Sequence, residues 1–146
     1  MFGKLKERIT GGAARLNGKL DLLEGCAAAC VLVGSADGNL DDGEAAVALE
    51  RLLTHETLSV AFSTTQIEQA FDKQVKRAKA GMSGRLGLRR EVEEVKGKST
   101  AEDIEMLFVI AIDVAGADGD IGEKEMKALQ DIGKLLGGLD PARYLS

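Results

Sequence analysis

Aromatic residues are nearly missing from this chain: they make up 3% of its 146 residues, and Trp is absent. The core must therefore be assembled from Leu, Ala, Val and Ile, whose modest volumes suit close helix packing. The single proline, Pro141, stands near the C-terminus, so almost nothing in the body of the chain forbids helix. One histidine, His55, excludes a His-rich metal site and any relay between several imidazoles. No run of about 18 apolar residues occurs, which excludes a membrane-spanning helix. The N-terminus also lacks the apolar stretch of a secretory signal. The expectation is a cytoplasmic protein, in which the two cysteines, Cys26 and Cys30, are reduced thiols.

What is present is charge, unevenly spread. The net charge is −5. Residues 1–20 carry five basic side chains against one acid, and residues 21–146 carry 14 against 23. Phosphate backbones need a basic surface, so nucleic acid is not expected as a partner of so acidic a body. The chain divides accordingly into a basic amphipathic segment, residues 1–20, and a helical domain, residues 21–146.

Apolar residues along the domain recur at helical spacing, and no alternating stretch of strand length interrupts them. Asp21 with Glu24 reads as a capping box opening a helix whose stripe is Leu23, Cys26, Ala27, Cys30, Val31 and Gly34. Asp41 with Glu44 opens the next, with Ala45, Ala48, Leu49, Leu52 and Leu53 inward. Residues 54–63 read as irregular. Ser63 with Gln66 opens a helix ending near Gly81, and residues 85–96 form a shorter one. Ser99 with Glu102 is expected to cap the strongest helix, carried by Ile104, Leu107, Phe108, Ala111, Val114 and Ala115. A further helix uses Met126, Leu129, Ile132 and Leu136 and ends at Gly137-Gly138. Asp140-Pro141 starts one last turn. The expected fold is all-α, a single compact domain of about seven helices.

The most informative feature is a duplication. Residues 36–44, Ala-Asp-Gly-Asn-Leu-Asp-Asp-Gly-Glu, match residues 117–125, Ala-Asp-Gly-Asp-Ile-Gly-Glu-Lys-Glu, at a constant offset of 81. Both copies lie between amphipathic helices, giving two repeated helix–Asp-Gly turn–helix units. The register resembles the second half of an EF-hand loop. The first half fails, because Val33 and Val114 stand where the first ligand belongs. Neither copy alone has a calcium loop, and the closing Glu of each also suits helix capping. Two observations favour a further role. Capping does not account for the Asp of Asp-Gly. The acids are also dense: Asp37, Asp41, Asp42 and Glu44 in one copy, Asp118, Asp120, Glu123 and Glu125 in the other. Clustered carboxylates repel unless solvent, protons or a cation relieve them.

At these residues the sequence resembles the TerB family of tellurite-resistance proteins, whose signature is the paired Asp-Gly turn closed by a Glu. A related domain occurs beside a membrane-anchored J-domain co-chaperone, so the fold alone does not set the role. The resemblance implies a non-enzymatic stress-response protein. It would bind a divalent metal through its acids and act as an adaptor beside the integral membrane protein TerC and other stress-complex proteins. Carried over, the metal set is Asp37, Glu44, Asp118 and Glu125, with Asp41, Asp42, Asp120 and Glu123 as lesser candidates. All are hard oxygen donors, which favours calcium or manganese over zinc. Gly122 departs from the family, which commonly has a small capping hydroxyl there.

Two alternatives differ in class. One is a metal-independent interaction module using the acidic face. The other is a thiol-based tellurite-handling protein using Cys26 and Cys30, although the pair sits among apolar neighbours and reads more simply as core. Residues 12–19 fail as a phosphate loop, because Leu20 stands where a magnesium-binding hydroxyl belongs. His55 reads as a surface or capping residue. Residues 73–98 carry nine basic and three acidic side chains, which reads as a solvated face or a contact for an acidic partner. No catalytic constellation can be assembled. Residues 1–20 place Phe2, Leu5, Ile9, Ala13, Leu16 and Leu20 at helical spacing among five basic residues. That pattern suits either docking on the domain or peripheral contact with an anionic membrane.

Overall fold

A computed structural model of the chain describes residues 19–36, 40–116 and 119–145. The segment 1–18, and with it the amphipathic pattern noted above, lies outside the described residues, as do Asp37 and Asp118. Among the described residues the fold is all-helical, with eight helices and no strand. They are α1 (Leu20–Gly34), α2 (Asp42–Thr54), α3 (Glu56–Ala61), α4 (Thr64–Lys79), α5 (Met82–Lys98), α6 (Ala101–Ala115), α7 (Glu123–Leu135) and the single turn α8 (Ala142–Leu145).

The centre of the fold is α1. Every residue from Leu22 to Val33 except Glu24 is buried, so the expected one-sided stripe is in fact burial all round. A helix apolar on every face must be surrounded, and α1 contacts α2, α4, α5, α6 and α7. Gly25 permits a close approach to α5, because a Cβ there would collide with Cγ2 of Val95. The second core helix is α6, with eleven of its fifteen residues buried, including Leu107, Phe108 and Ala111.

Most helix boundaries follow from local chemistry. Asp41 caps α2 through its carboxylate, which accepts the Glu44 N–H at 2.7 Å. Ser63 and Gln66 form the full reciprocal box at α4. Gly137 and Gly138 end α7 with positive φ, and the Gly138 and Leu139 amides both return to the Gly133 carbonyl. Asp140 accepts the Ala142 N–H to start α8.

Four boundaries differ from the sequence reading. Lys19, at the N-cap of α1, makes no side-chain cap: Asp21 lies inside the first turn, and Glu24 accepts instead from the Gln74 amide at 2.8 Å. Residues 56–61 are helix rather than irregular, because the His55 ring accepts the Thr57 N–H and Leu58 and Ala61 are buried. The fifth helix extends beyond 85–96 at both ends. Thr100, not Ser99, caps α6, accepting from Asp103 N–H.

The duplication is visible in the helices themselves. Leu20 and Ala101, Gly34 and Ala115, Asp42 and Glu123, Thr54 and Leu135 are each 81 apart. The unit α1–corner–α2 thus recurs as α6–corner–α7 with all four helix ends in register.

Candidate functional site: an acidic cleft between the two units

Each central helix runs into its corner with a polar clasp on its C-terminal end. Arg51 of α2 donates to the Val114 carbonyl at the end of α6 at 3.1 Å. Arg85 of α5 donates to the Ser35 carbonyl and hydroxyl just past α1, both at 3.2 Å. A guanidinium at a helix C-terminus satisfies orphan carbonyls and complements the negative end of the macrodipole. His55 adds a further tie between the units. Its Nδ1 accepts from Thr57, which leaves the proton on Nε2, and Nε2 donates to Asp113 of α6 at 3.1 Å. His55 is therefore a capping residue, as its position implied, with a partner 58 positions away that sequence reading had no means to supply.

Between the units lies an open cleft of about 500 Å³. Its floor is apolar: Cys30, Val33, Ala48, Val114 and Ala115. Among the described residues, its rim carries Asp41, Glu44 and Glu125 with one cation, Arg51. Three pairs of lining residues are equivalents 81 apart: Val33 with Val114, Gly34 with Ala115, and Glu44 with Glu125. Equivalent residues of the two units therefore line one space, and the closing glutamates of both corners are among them.

The candidate acids fall into three groups. Glu44 and Glu125 share the cleft, with Asp41 beside Glu44. Asp42, Asp120 and Glu123 do not line it, and Asp42 is drawn toward α4 by Lys79 at 3.0 Å. Asp37 and Asp118 lie outside the described residues. Two of the three cleft acids also hold backbone: Asp41 accepts from Glu44 N–H, and Glu125 accepts from Gly122 N–H at 3.0 Å. Among the described residues, no group of three or more His, Cys, Asp or Glu is arranged to hold a metal ion. The rim supplies hard oxygen donors of the right chemical class, but a complete coordination set would need Asp37 and Asp118.

The thiols offer little chemistry here. Cys26 and Cys30 are both 2% exposed and unbridged. The hydrogen bond between them, with burial second, pushes the Cys30 thiol well above its ordinary range, and a protonated buried thiol is a poor nucleophile. Their equivalents in the second unit are Leu107 and Ala111, both core.

Among the described residues, no helix is long and apolar enough to cross a membrane. Comparison with known families places residues 23–144 under the family described as tellurite resistance protein TerB, which spans nearly the whole chain. Searches of curated proteins and of solved structures found no match.

Proposed function

From the premise that the chain belongs to the TerB family of tellurite-resistance proteins, we propose that it acts by binding rather than catalysis, taking a divalent cation between its two corners. The proposed ligands are Asp37, Glu44, Asp118 and Glu125. The observation that carries this reading is the cleft, where equivalent residues of both units, Glu44 and Glu125 among them, face one space. Neither corner has enough oxygen ligands alone, whereas a shared site draws on both. Carboxylate ligands favour calcium or manganese over zinc. A bound cation would relieve carboxylate repulsion and hold the units together at the point where they meet. The adaptor role beside a TerC-type membrane protein is part of the same proposal, with the acidic face turned to the partner.

Amide chemical shifts test the cation. Calcium or manganese should move Gly38 and Gly119 first, and Asp37→Asn with Asp118→Asn should abolish the response. Glycines unmoved by calcium, manganese and zinc alike would leave the acids as caps and solubilising charge. A second reading is favoured by the capping duties of Asp41 and Glu125: the acidic rim docks on a basic loop without metal. Capture of a TerC-type partner by wild type and by the double variant, with and without chelator, separates them. Loss of capture with chelator supports the cation; capture that ignores chelator yet needs the acids supports direct docking.

A further inference from the structure

The duplication breaks down on the other side of the first corner, at a second recess of about 310 Å³ lined by Leu32, Ala36, Arg85, Arg89, Lys124, Lys127, Ala128 and Asp131. Among the described residues, four cations face one carboxylate there, in a protein whose net charge is −5. The equivalents of Lys124 and Lys127 in the first unit are Gly43 and Ala46, so these charges are no legacy of the repeat. Lys124 and Glu125 are neighbours on α7, so the basic recess and the acidic cleft share a wall.

Two of these cations stand at the unfavourable end of the helix that carries them. Arg85 lies in the first turn of α5, which has no acidic residue, and Lys124 lies in the first turn of α7. A helix N-terminus already carries partial positive charge, and a cation there is disfavoured by roughly 0.3–1 kcal/mol. Arg85 serves the C-terminal end of α1 and Arg89 pairs with Asp131, but the stability of its own helix does not explain Lys124. Two of the four are held in place: Arg85 by buried Ser35, and Arg89 by Asp131 across to α7. Lys124 and Lys127 make no ion pair or side-chain hydrogen bond among the described residues and stand ready for an incoming anion.

We propose that this recess binds a phosphate group. Fixed guanidiniums offer planar paired donors to phosphate oxygens, and mobile ammoniums close over the remaining charge. Leu32, Ala36 and Ala128 form the apolar part of the lining. The phosphate belongs either to a small soluble molecule or to a lipid headgroup. Met82 and Leu86, 77% and 52% exposed, lie on the same helix as Arg85 and Arg89 and would meet a bilayer in the second case. This inference does not depend on the cation reading.

The test uses the full chain and two probes. Inorganic phosphate is titrated against sodium chloride of equal ionic strength, observing the Arg85 and Arg89 Nε–H signals and the Lys124 and Lys127 amides. Flotation uses phosphatidylcholine vesicles with and without phosphatidic acid. The variants are K124E/K127E and the milder K124A/K127A, both at exposed positions. We expect millimolar phosphate to move these signals and the charge reversal to weaken binding at least roughly tenfold, as the loss of one charged hydrogen bond would. Phosphate binding without flotation assigns a soluble ligand. Flotation that needs phosphatidic acid, is lost in K124E/K127E and falls in M82S/L86S assigns a headgroup. No response to either probe beyond the chloride control, or a response unchanged in both lysine variants, overturns the proposal.

Discussion

The two units share a register but differ in how each holds its second helix. In the first, α2 buries only Ala48 and Leu52, and Arg51 ties it to the end of α6. In the second, α7 buries Leu129, Ile132 and Gly133, and the chain beyond it folds back so that Leu139 packs onto Gly133. The two walls of the cleft are thus anchored by different means, α2 by Arg51 and by Ala45, Leu49 and Leu53 packed on the core, α7 by the chain folding back over Gly133. The caps differ too: the first corner uses the Asp41 side chain, whereas Gly122 has none and relies on Glu125 reaching back.

The largest effect expected from breaking this comparison is at Gly133. Its equivalent in the first unit is Leu52, yet a Cβ at Gly133 would lie 1.9 Å from the Leu139 carbonyl oxygen. Gly133→Ala should destabilise the fold by about 3 kcal/mol, the upper end of overpacking costs. Gly43→Ala on α2, where a Cβ meets only Asp41 Oδ1 at 3.4 Å, should be neutral or stabilising. Urea unfolding of the two variants checks this. Equal losses would mean that α2 is as tightly held as α7.

A smaller effect is expected where the units differ in chemistry but not in role. Ala111 stands where the first unit has Cys30, so Cys30→Ala asks the first unit to copy the second. Removing one buried sulfur should cost about 1 kcal/mol and leave tellurite resistance unchanged. The raised Cys30 pKa also gives a sign. The folded state favours the protonated thiol, so this contribution to stability is fully present at neutral pH. It is lost as pH rises past the unfolded thiol value of about 8.5. Cys30→Ala should flatten that alkaline decline. Loss of resistance in a folded variant would restore the thiol-based reading.

Much of this was legible in the sequence because it is local or repeated. The all-helical class, the cap at Asp41, the box at Ser63–Gln66 and the Gly137-Gly138 stop depend on residues a few positions apart. The duplication carried further: equal offsets put Glu44 and Glu125 in equivalent places, and the packing of the two units then puts them in one cleft. The all-round burial of α1 had a signal in the nearly unbroken apolar run from Leu22 to Val33, which a search for one face passes over. Glu24 turned from its cap to Gln74, and His55 found Asp113, through long-range contacts that no local pattern encodes. The basic run 73–98 was visible as charge. That Arg85 and Arg89 join Lys124 and Lys127 depends on α5 lying beside α7, which only the fold supplies.

The smallest and most diagnostic comparison exchanges the two caps. Asp41→Ala removes the carboxylate that accepts the Glu44 N–H and should cost about 1 kcal/mol. Gly122→Ser gives the second corner what it lacks. The backbone at Gly122, φ −67° and ψ 164°, already has the extended N-cap conformation, so a serine fits without strain. Its Cβ would lie 3.2 Å from Glu125 Oε1, the end of a flexible side chain that can shift by a few tenths of an ångström. The hydroxyl would then accept the Glu125 N–H while Glu125 keeps its bond to the Gly122 amide, completing a reciprocal box. The expected gain is a few tenths of a kcal/mol, since glycine is itself a tolerated cap. Thermal unfolding should show a loss for Asp41→Ala and a slight gain for Gly122→Ser. If Gly122→Ser instead destabilises, Glu125 is held too rigidly in the cleft to yield, and its carboxylate position serves the cleft before the helix.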